Sequence, residues 1–137
     1  MSKIHPSIRF NDQKCREGMN FYKECFGGEL EFMTGKGTPM ESDMTPDQLD
    51  LIMHSTLTKG SWVLIGSDMM RDKAIVGDNV GIMIDCESEE EIRTIFSKLS
   101  DGAEIFMPIE EQFWGALYGV LTDKYGVEWM LNYTFKK

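Results

Sequence analysis

The sequence predicts an α+β fold made of two copies of a βαβββ module. The first observation is a repeat: residues 8–33 and 82–107 align without a gap at a constant offset of 74 residues, from 8 to 82. The second is that each copy begins with a strand pattern, continues as a helix pattern and returns to a strand pattern. The third is that two further strand-like runs follow each copy. A chain of 137 residues is long enough for one such domain with its own core.

The first module changes from a strand period to a helix period. Apolar residues recur at every second position of Lys3–Phe10, which is typical of a strand with one buried side. Asp12–Phe26 then shows a helical stripe, which Gly27 and Gly28 end. The residues expected on the buried side of this helix are Cys15, Gly18, Met19, Tyr22, Cys25 and Phe26. The remaining strands of the module are expected at Glu29–Met33, Leu51–Thr58 and Trp62–Ser67.

The second module repeats the same order. Ser88 and Glu91 have the spacing of a capping box, with Ser88 as the N-cap of the helix. The residues expected on the buried side of this helix are Ile92, Ile95, Phe96 and Leu99. The strands of the module are expected at Asn79–Asp85, Glu104–Met107, Phe113–Thr122 and Val127–Tyr133. Asp123 suits the turn between the last two strands and needs no chemical role.

The chain is expected to form one domain, with module one at 1–67, a linker at 68–78 and module two at 79–137. Thr34–Gln48 contains Gly, Pro and Ser and predicts a loop. One helical turn is expected inside this loop, where Thr45 would cap and Pro46 would take the first position.

Composition and charge exclude several classes of function. The net charge of −9 argues against nucleic acid and against an anionic membrane surface, since both require basic patches. The sequence shows neither a membrane span nor a signal peptide. The cysteines Cys15, Cys25 and Cys86 are odd in number and form no CxxC pair, so free thiols in a reducing cytoplasm are expected.

Several stretches of the sequence resemble one known family. They read NDQKCREGMNFYKECFGGELEFM, IMHSTLT, MPIEEQFWG and TDKYGVEWMLN. Together they resemble the PhnB-like branch, labelled 3-demethylubiquinone-9 3-methyltransferase, of the glyoxalase/bleomycin resistance/dioxygenase (vicinal oxygen chelate) superfamily. The resemblance implies that each module curls its sheet, that the two sheets enclose a cavity and that the helices cover the convex side. It also implies a homodimer.

Metal-dependent members of this superfamily place one ligand on the first strand and one on the last strand of each module. By resemblance these positions fall on His5, on Asn79, on Leu64 or Ile65, and on Met130. Of these, His5 is the one side chain that binds a hard divalent cation well. A catalytic divalent site uses about three His or carboxylate ligands at least. We therefore expect no metal and no cofactor.

Alternation along the last strand indicates which of its side chains would face the cavity. Trp129 belongs to the buried side, so Glu128, Met130 and Asn132 belong to the other side. Trp114 is expected to add an aromatic side near the cavity mouth, and loop 34–48 would be its lid. The expected ligand-binding residues are His5, Arg9, Trp114, Glu128, Met130 and Asn132.

Two of these residues have alternative interpretations. His5 is either a pocket base or relic metal ligand, or a hydrogen-bonded strand histidine. Arg9 is either an anchor for a ligand carboxylate or phosphate, or half of a buried ion pair with Glu128, and the pair is favoured. His54 is interpreted as a surface or interface residue of its strand.

The function that this sequence favours is binding, and sequestering, a small and partly apolar molecule in a metal-free cavity. One alternative is a superfamily enzyme of the lyase, transferase or dioxygenase type, with an unusual site around His5, His54 and Glu128. Another is an interaction module with a collapsed cavity. A methyltransferase of the common kind would need a Gly-rich turn after the first strand, where this chain has Asn11–Lys14.

Overall fold

The computed structural model describes residues 2–70 and 72–135, which fall into two compact units at 1–75 and 76–137. Each unit is one βαβββ module, as predicted. The first unit contains β1 (Ser7–Phe10), α1 (Cys15–Phe26), β2 (Glu29–Thr34), β3 (Ile52–Lys59) and β4 (Trp62–Asp68). The second contains β5 (Gly81–Asp85), α2 (Glu89–Leu99), β6 (Glu104–Gln112), β7 (Ala116–Thr122) and β8 (Glu128–Thr134).

The two sheets have the same topology. Their strand orders are β1-β4-β3-β2 and β5-β8-β7-β6, with the first strand of each unit parallel to the last and the other neighbours antiparallel. The strand expected at Lys3–Phe10 is shorter than predicted and begins at Ser7. The residue before this start, Pro6, has no N–H to donate to the neighbouring strand. Its carbonyl accepts a hydrogen bond from Ile65 N at 2.9 Å.

Both helices bury the stripes that the sequence predicts. Every residue expected on the buried side of α1 and of α2 is buried. Ser88 caps α2, because its hydroxyl accepts a hydrogen bond from Glu91 N at 3.0 Å. A capping box predicts that the Glu91 carboxylate accepts a hydrogen bond from Ser88 N. It accepts instead from Glu87 N, one residue earlier, at 2.9 Å.

Strands and loops depart from the prediction where pairing is irregular. β6 continues to Gln112, five residues beyond the expected end at Met107, and its register with β7 shifts twice. The helical turn of loop 34–48 is a 3₁₀ turn at Glu41–Asp43, earlier than expected. A further turn begins at Thr45, whose carbonyl accepts a hydrogen bond from Gln48 N at 3.0 Å.

No helix among residues 2–70 and 72–135 is long and apolar enough to span a membrane.

The buried carboxylate of Asp68 joins three elements of the first unit. One oxygen accepts a hydrogen bond from Cys15 N at 2.9 Å, at the start of α1. The other accepts from Ile52 N at 2.8 Å, at the start of β3. Since Asp68 is the last residue of β4, this one side chain holds the beginnings of a helix and a strand against the end of a second strand.

Asp68→Ala is expected to lower the free energy of unfolding by about 2–4 kcal/mol, because two buried N–H groups lose a charged acceptor. Asp47→Ala, in the exposed loop, is the matched control and should change it by less than about 0.5 kcal/mol. Urea unfolding of the two variants and the wild type measures the difference. An Asp68 variant as stable as the control would contradict the structural role.

The Cys15 thiol is fully buried, 3.6 Å from the Ser55 hydroxyl. The Ser55 hydroxyl donates to the Gly66 carbonyl at 2.7 Å, so the thiol is the donor to Ser55. Burial raises the pKa of Cys15 from 9.0 to about 11. The thiol therefore favours folding below pH 9, and this contribution is lost as the pH rises through about 11.

At pH 8, iodoacetamide is expected to alkylate Cys15 in the folded protein only as fast as the protein unfolds, because the reactive thiolate is suppressed. Mass spectrometry of tryptic peptides over time gives the rate at each cysteine. Labelling of the urea-unfolded chain is the reference. Alkylation of folded Cys15 at the unfolded rate would refute the assignment.

Candidate functional site

One side of the second unit's sheet is turned away from α2. A Cβ atom added to Gly119 would lie 3.0 Å from Phe96 of α2, and Gly119 pairs with Leu131. Leu131 and Trp129 are therefore on the helix side, where they are 0% and 2% exposed. The opposite side, called the open face here, carries Glu128, Met130 and Asn132 of β8. The alternation predicted for this strand is confirmed.

A row of four apolar side chains crosses the open face, one from each strand. Met83 of β5 pairs with Met130, Met130 pairs with Val120 of β7, and Val120 pairs with Met107 of β6. Directly opposed residues of neighbouring strands project from the same side of a sheet. Met83 is 50% exposed, whereas Val120 in the middle is 6% exposed. We call these four residues the methionine row.

Polar rows lie on both sides of the methionine row. On one side, two residues from the row on β5, β8 and β7 and three residues from it on the bulged β6, are Gly81, Glu128, Thr122 and Glu104. On the other side are Asp85, Asn132, Tyr118 and Glu110. A Cβ atom on Gly81 would lie 3.0 Å from the Met130 methyl and 3.1 Å from a Glu128 carboxylate oxygen. The absence of a side chain at Gly81 thus makes room for both.

A pocket of about 390 Å³ opens at the Asp85 end of the face. Its wall consists of Asp85, Cys86, Glu87, Asn132 and Thr134. The Asn132 amide nitrogen donates to the Asp85 carboxylate at 3.1 Å and to the Thr134 hydroxyl at 3.2 Å. These two bonds orient the amide, so one predicted ligand-binding residue is held in place on a pocket wall.

Trp114 reaches the same region from the turn between β6 and β7. Its ring centroid is 5.7 Å from that of Tyr118, which pairs with Asn132. Trp114 is 49% exposed and also contacts Phe113 edge-on, with ring centroids 5.0 Å apart. The second unit therefore brings together Trp114, Glu128, Met130 and Asn132 of the predicted site.

His5 and Arg9 belong to the first unit, where both are exposed. His5 precedes β1, and Arg9 lies in β1 opposite Ser67. His54 is also exposed, as expected, and pairs with Met33. The two interpretations of His5 stay open, and the Arg9–Glu128 ion pair and the cavity between the modules stay predictions.

The strand register changes one correspondence that the sequence suggested. Arg9 and Met83 are related by the offset of 74, and their partners on the last strands are Ser67 and Met130. Ser67 is therefore the counterpart of Met130, and the expectation of Leu64 or Ile65 is wrong. Leu64 is buried on the helix side of its sheet. The described parts of the chain contain no group of three His, Cys, Asp or Glu side chains placed to hold a metal ion.

Sequence reasoning missed several residues of the open face: Met83, Asp85, Met107, Val120 and Thr134. The sequence did contain one sign of Met107, because Met33 and Met107 are identical residues separated by the repeat offset of 74. Pairing between strands, which decides what lies beside Met130, depends on register and bulges that alternation does not reveal.

Comparisons with known proteins agree with this architecture. Residues 2–132 match the family model described as 3-demethylubiquinone-9 3-methyltransferase. The structure of protein PA1353 from Pseudomonas aeruginosa superposes with a TM-score of 0.85 at 32% identity, covering 98% of each chain. The PhnB protein of Bacillus cereus gives a TM-score of 0.77 at 27% identity, covering 97% of this chain and 100% of that one.

A glyoxalase/bleomycin resistance protein/dioxygenase family enzyme from Burkholderia phytofirmans shares the fold at 15% identity. Its TM-score is 0.63, with 96% of this chain and 97% of that chain covered. The two βαβββ units, the family match over nearly the whole sequence and these structures lead to one assignment. The chain belongs to the 3-demethylubiquinone-9 3-methyltransferase family, and it shares the fold of a PhnB protein and of a glyoxalase/bleomycin resistance protein/dioxygenase family enzyme.

Proposed function

We propose that this protein binds a small, partly apolar organic molecule, without a metal, on the open face of its second unit. The observation that carries the proposal is the methionine row. Three thioether side chains and Val120 form an apolar band across all four strands, about 14 Å long at the usual spacing of strands. Half of Met83 remains accessible, so this end of the band is available to a ligand.

Methionine suits such a surface because its side chain is flexible and polarisable. It fills irregular gaps and adapts to ligands of different shape. The polar rows on both sides add hydrogen-bonding groups, namely the Tyr118 and Thr122 hydroxyls and the Asn132 amide. An apolar centre with a few polar groups at its border is the usual composition of a small-molecule site.

A methyltransferase activity, which the family description names, is not part of this proposal. In the common fold of such enzymes, the cofactor binds at a Gly-rich turn between a strand and a helix N-terminus. Here the turn between β1 and α1 is Asn11–Lys14, and Asp12 and Gln13 both have φ of 57°. Residues with side chains take the left-handed positions that glycine would take in that motif.

Nile red, a neutral apolar dye, is a probe for this surface. The double variant Met83→Gln and Met130→Gln keeps the length of both side chains and makes the row polar. It should weaken dye binding about tenfold, equal to ~1.4 kcal/mol of lost apolar contact. The control is Met40→Gln, since Met40 is similarly exposed at 53% in the loop of the first unit. Fluorescence titration gives the affinities.

Equal affinity in the double variant and the wild type would show that the dye binds elsewhere. No binding by the wild type would remove the support for a binding protein and favour an interaction module. Circular dichroism of each variant establishes that the fold is retained.

We also propose that the protein is a homodimer with two-fold symmetry, the commonest oligomer. Large apolar side chains on the surface support this, among them Phe106 at 79% and Phe113 at 96% exposure. Light scattering at micromolar concentration should give twice the chain mass of 15.7 kDa. A mass of one chain at all concentrations would contradict the proposal.

A further inference from the structure

We propose that the molecule bound on the open face is an organic cation, with an ammonium group in the pocket beside Asp85 and an apolar body over the methionine row. This inference rests on the binding function proposed above and adds the charge and the orientation of the ligand. Three independent features support it: the hydrogen-bonding character of the pocket, its continuity with the row and the distribution of charge in the second unit.

The pocket wall is rich in hydrogen-bond acceptors. Asn132 donates both amide hydrogens, to Asp85 and to Thr134, so its carbonyl oxygen remains as an acceptor. Glu87 also lines the pocket, and its side chain forms no ion pair with a residue of the described ranges 2–70 and 72–135. An ammonium group, which has three donors and no acceptor, complements this wall.

The pocket continues directly from the apolar row. Asp85 follows Met83 by two residues on β5, and Asn132 follows Met130 by two residues on β8, so all four project from one side of the sheet. Two residues along a strand span about 7 Å. A molecule with an apolar body and an amine roughly that far away contacts both regions at once.

The charge of the second unit favours a cation at this place. Residues 76–137 include 12 acidic side chains against five basic ones, a net charge of −7 out of −9 for the chain. Arg93 pairs with Glu89 on α2 at 2.9 Å, and Lys124 pairs with Asp101 at 3.4 Å. Lys98 is in the last turn of α2. The described strands of this unit thus supply the open face with carboxylates and with no basic side chain.

Three probes with one apolar body and different head groups test the inference: 4-phenylbutylamine, 4-phenylbutanol and 4-phenylbutyrate. Isothermal titration calorimetry at pH 7 and low salt measures their affinities for the full chain. The amine should bind about tenfold tighter than the alcohol, the size expected for a charge-assisted hydrogen bond. The carboxylate should bind most weakly because the wall repels it.

Asp85→Asn keeps an acceptor for Asn132 and removes the charge. It should reduce the preference for the amine over the alcohol to about twofold. Glu90→Gln is the matched control: Glu90 is exposed in the first turn of α2, and its loss removes the same charge from elsewhere in the unit. It should keep the tenfold preference.

The outcomes separate this inference from the function on which it rests. If the alcohol and the amine bind equally well to the wild type, and the methionine double variant weakens both, the binding surface stands and the cation preference is wrong. If the amine preference survives in Asp85→Asn, the pocket is not its source and the inference fails. If none of the three probes binds, both proposals are overturned.

Discussion

Which side chains of β8 face the core and which lie on the open face depends on a single buried carboxylate, that of Asp123. One of its oxygens accepts hydrogen bonds from Tyr125 N at 2.8 Å and Val127 N at 3.1 Å, which closes the turn before the strand. The other accepts from the Trp129 indole nitrogen at 2.7 Å, which holds that ring in the core. Because a slip of one residue would exchange the two sides of a strand, this arrangement also places Met130 on the open face.

Local periodicity predicted what depends on neighbours along the chain. Both helix stripes and the alternation of β8 are confirmed because a helix or strand buries residues at fixed intervals. The bulges of β6, the pairing of Arg9 with Ser67 and the two backbone contacts of Asp68 could not be predicted. They join residues distant in sequence, and their geometry follows from how strands are paired. The methionine row depends on the same pairing.

The two modules keep one backbone and carry different chemistry on corresponding positions. Where the second unit has Met83 opposite Met130, the first has Arg9 opposite Ser67. Met33 and Met107 are identical residues at corresponding positions, but their neighbours differ. Met33 pairs with His54 in the first unit, and Met107 pairs with Val120 in the second. The apolar band is therefore a property of the second repeat, whereas the first repeat has Arg9, Ser67 and His54 beside its one equivalent methionine.

The dependence of the open face on methionine makes its character sensitive to oxidants. Peroxide adds one oxygen to a thioether and converts a flexible apolar side chain into a polar sulfoxide. Met83, half exposed at the end of the row, is the member most accessible to such a reagent. Leucine or isoleucine would form an equally apolar band without this sensitivity. A face built from methionine can thus lose its apolar character under oxidative stress and regain it when a reductase restores the thioether.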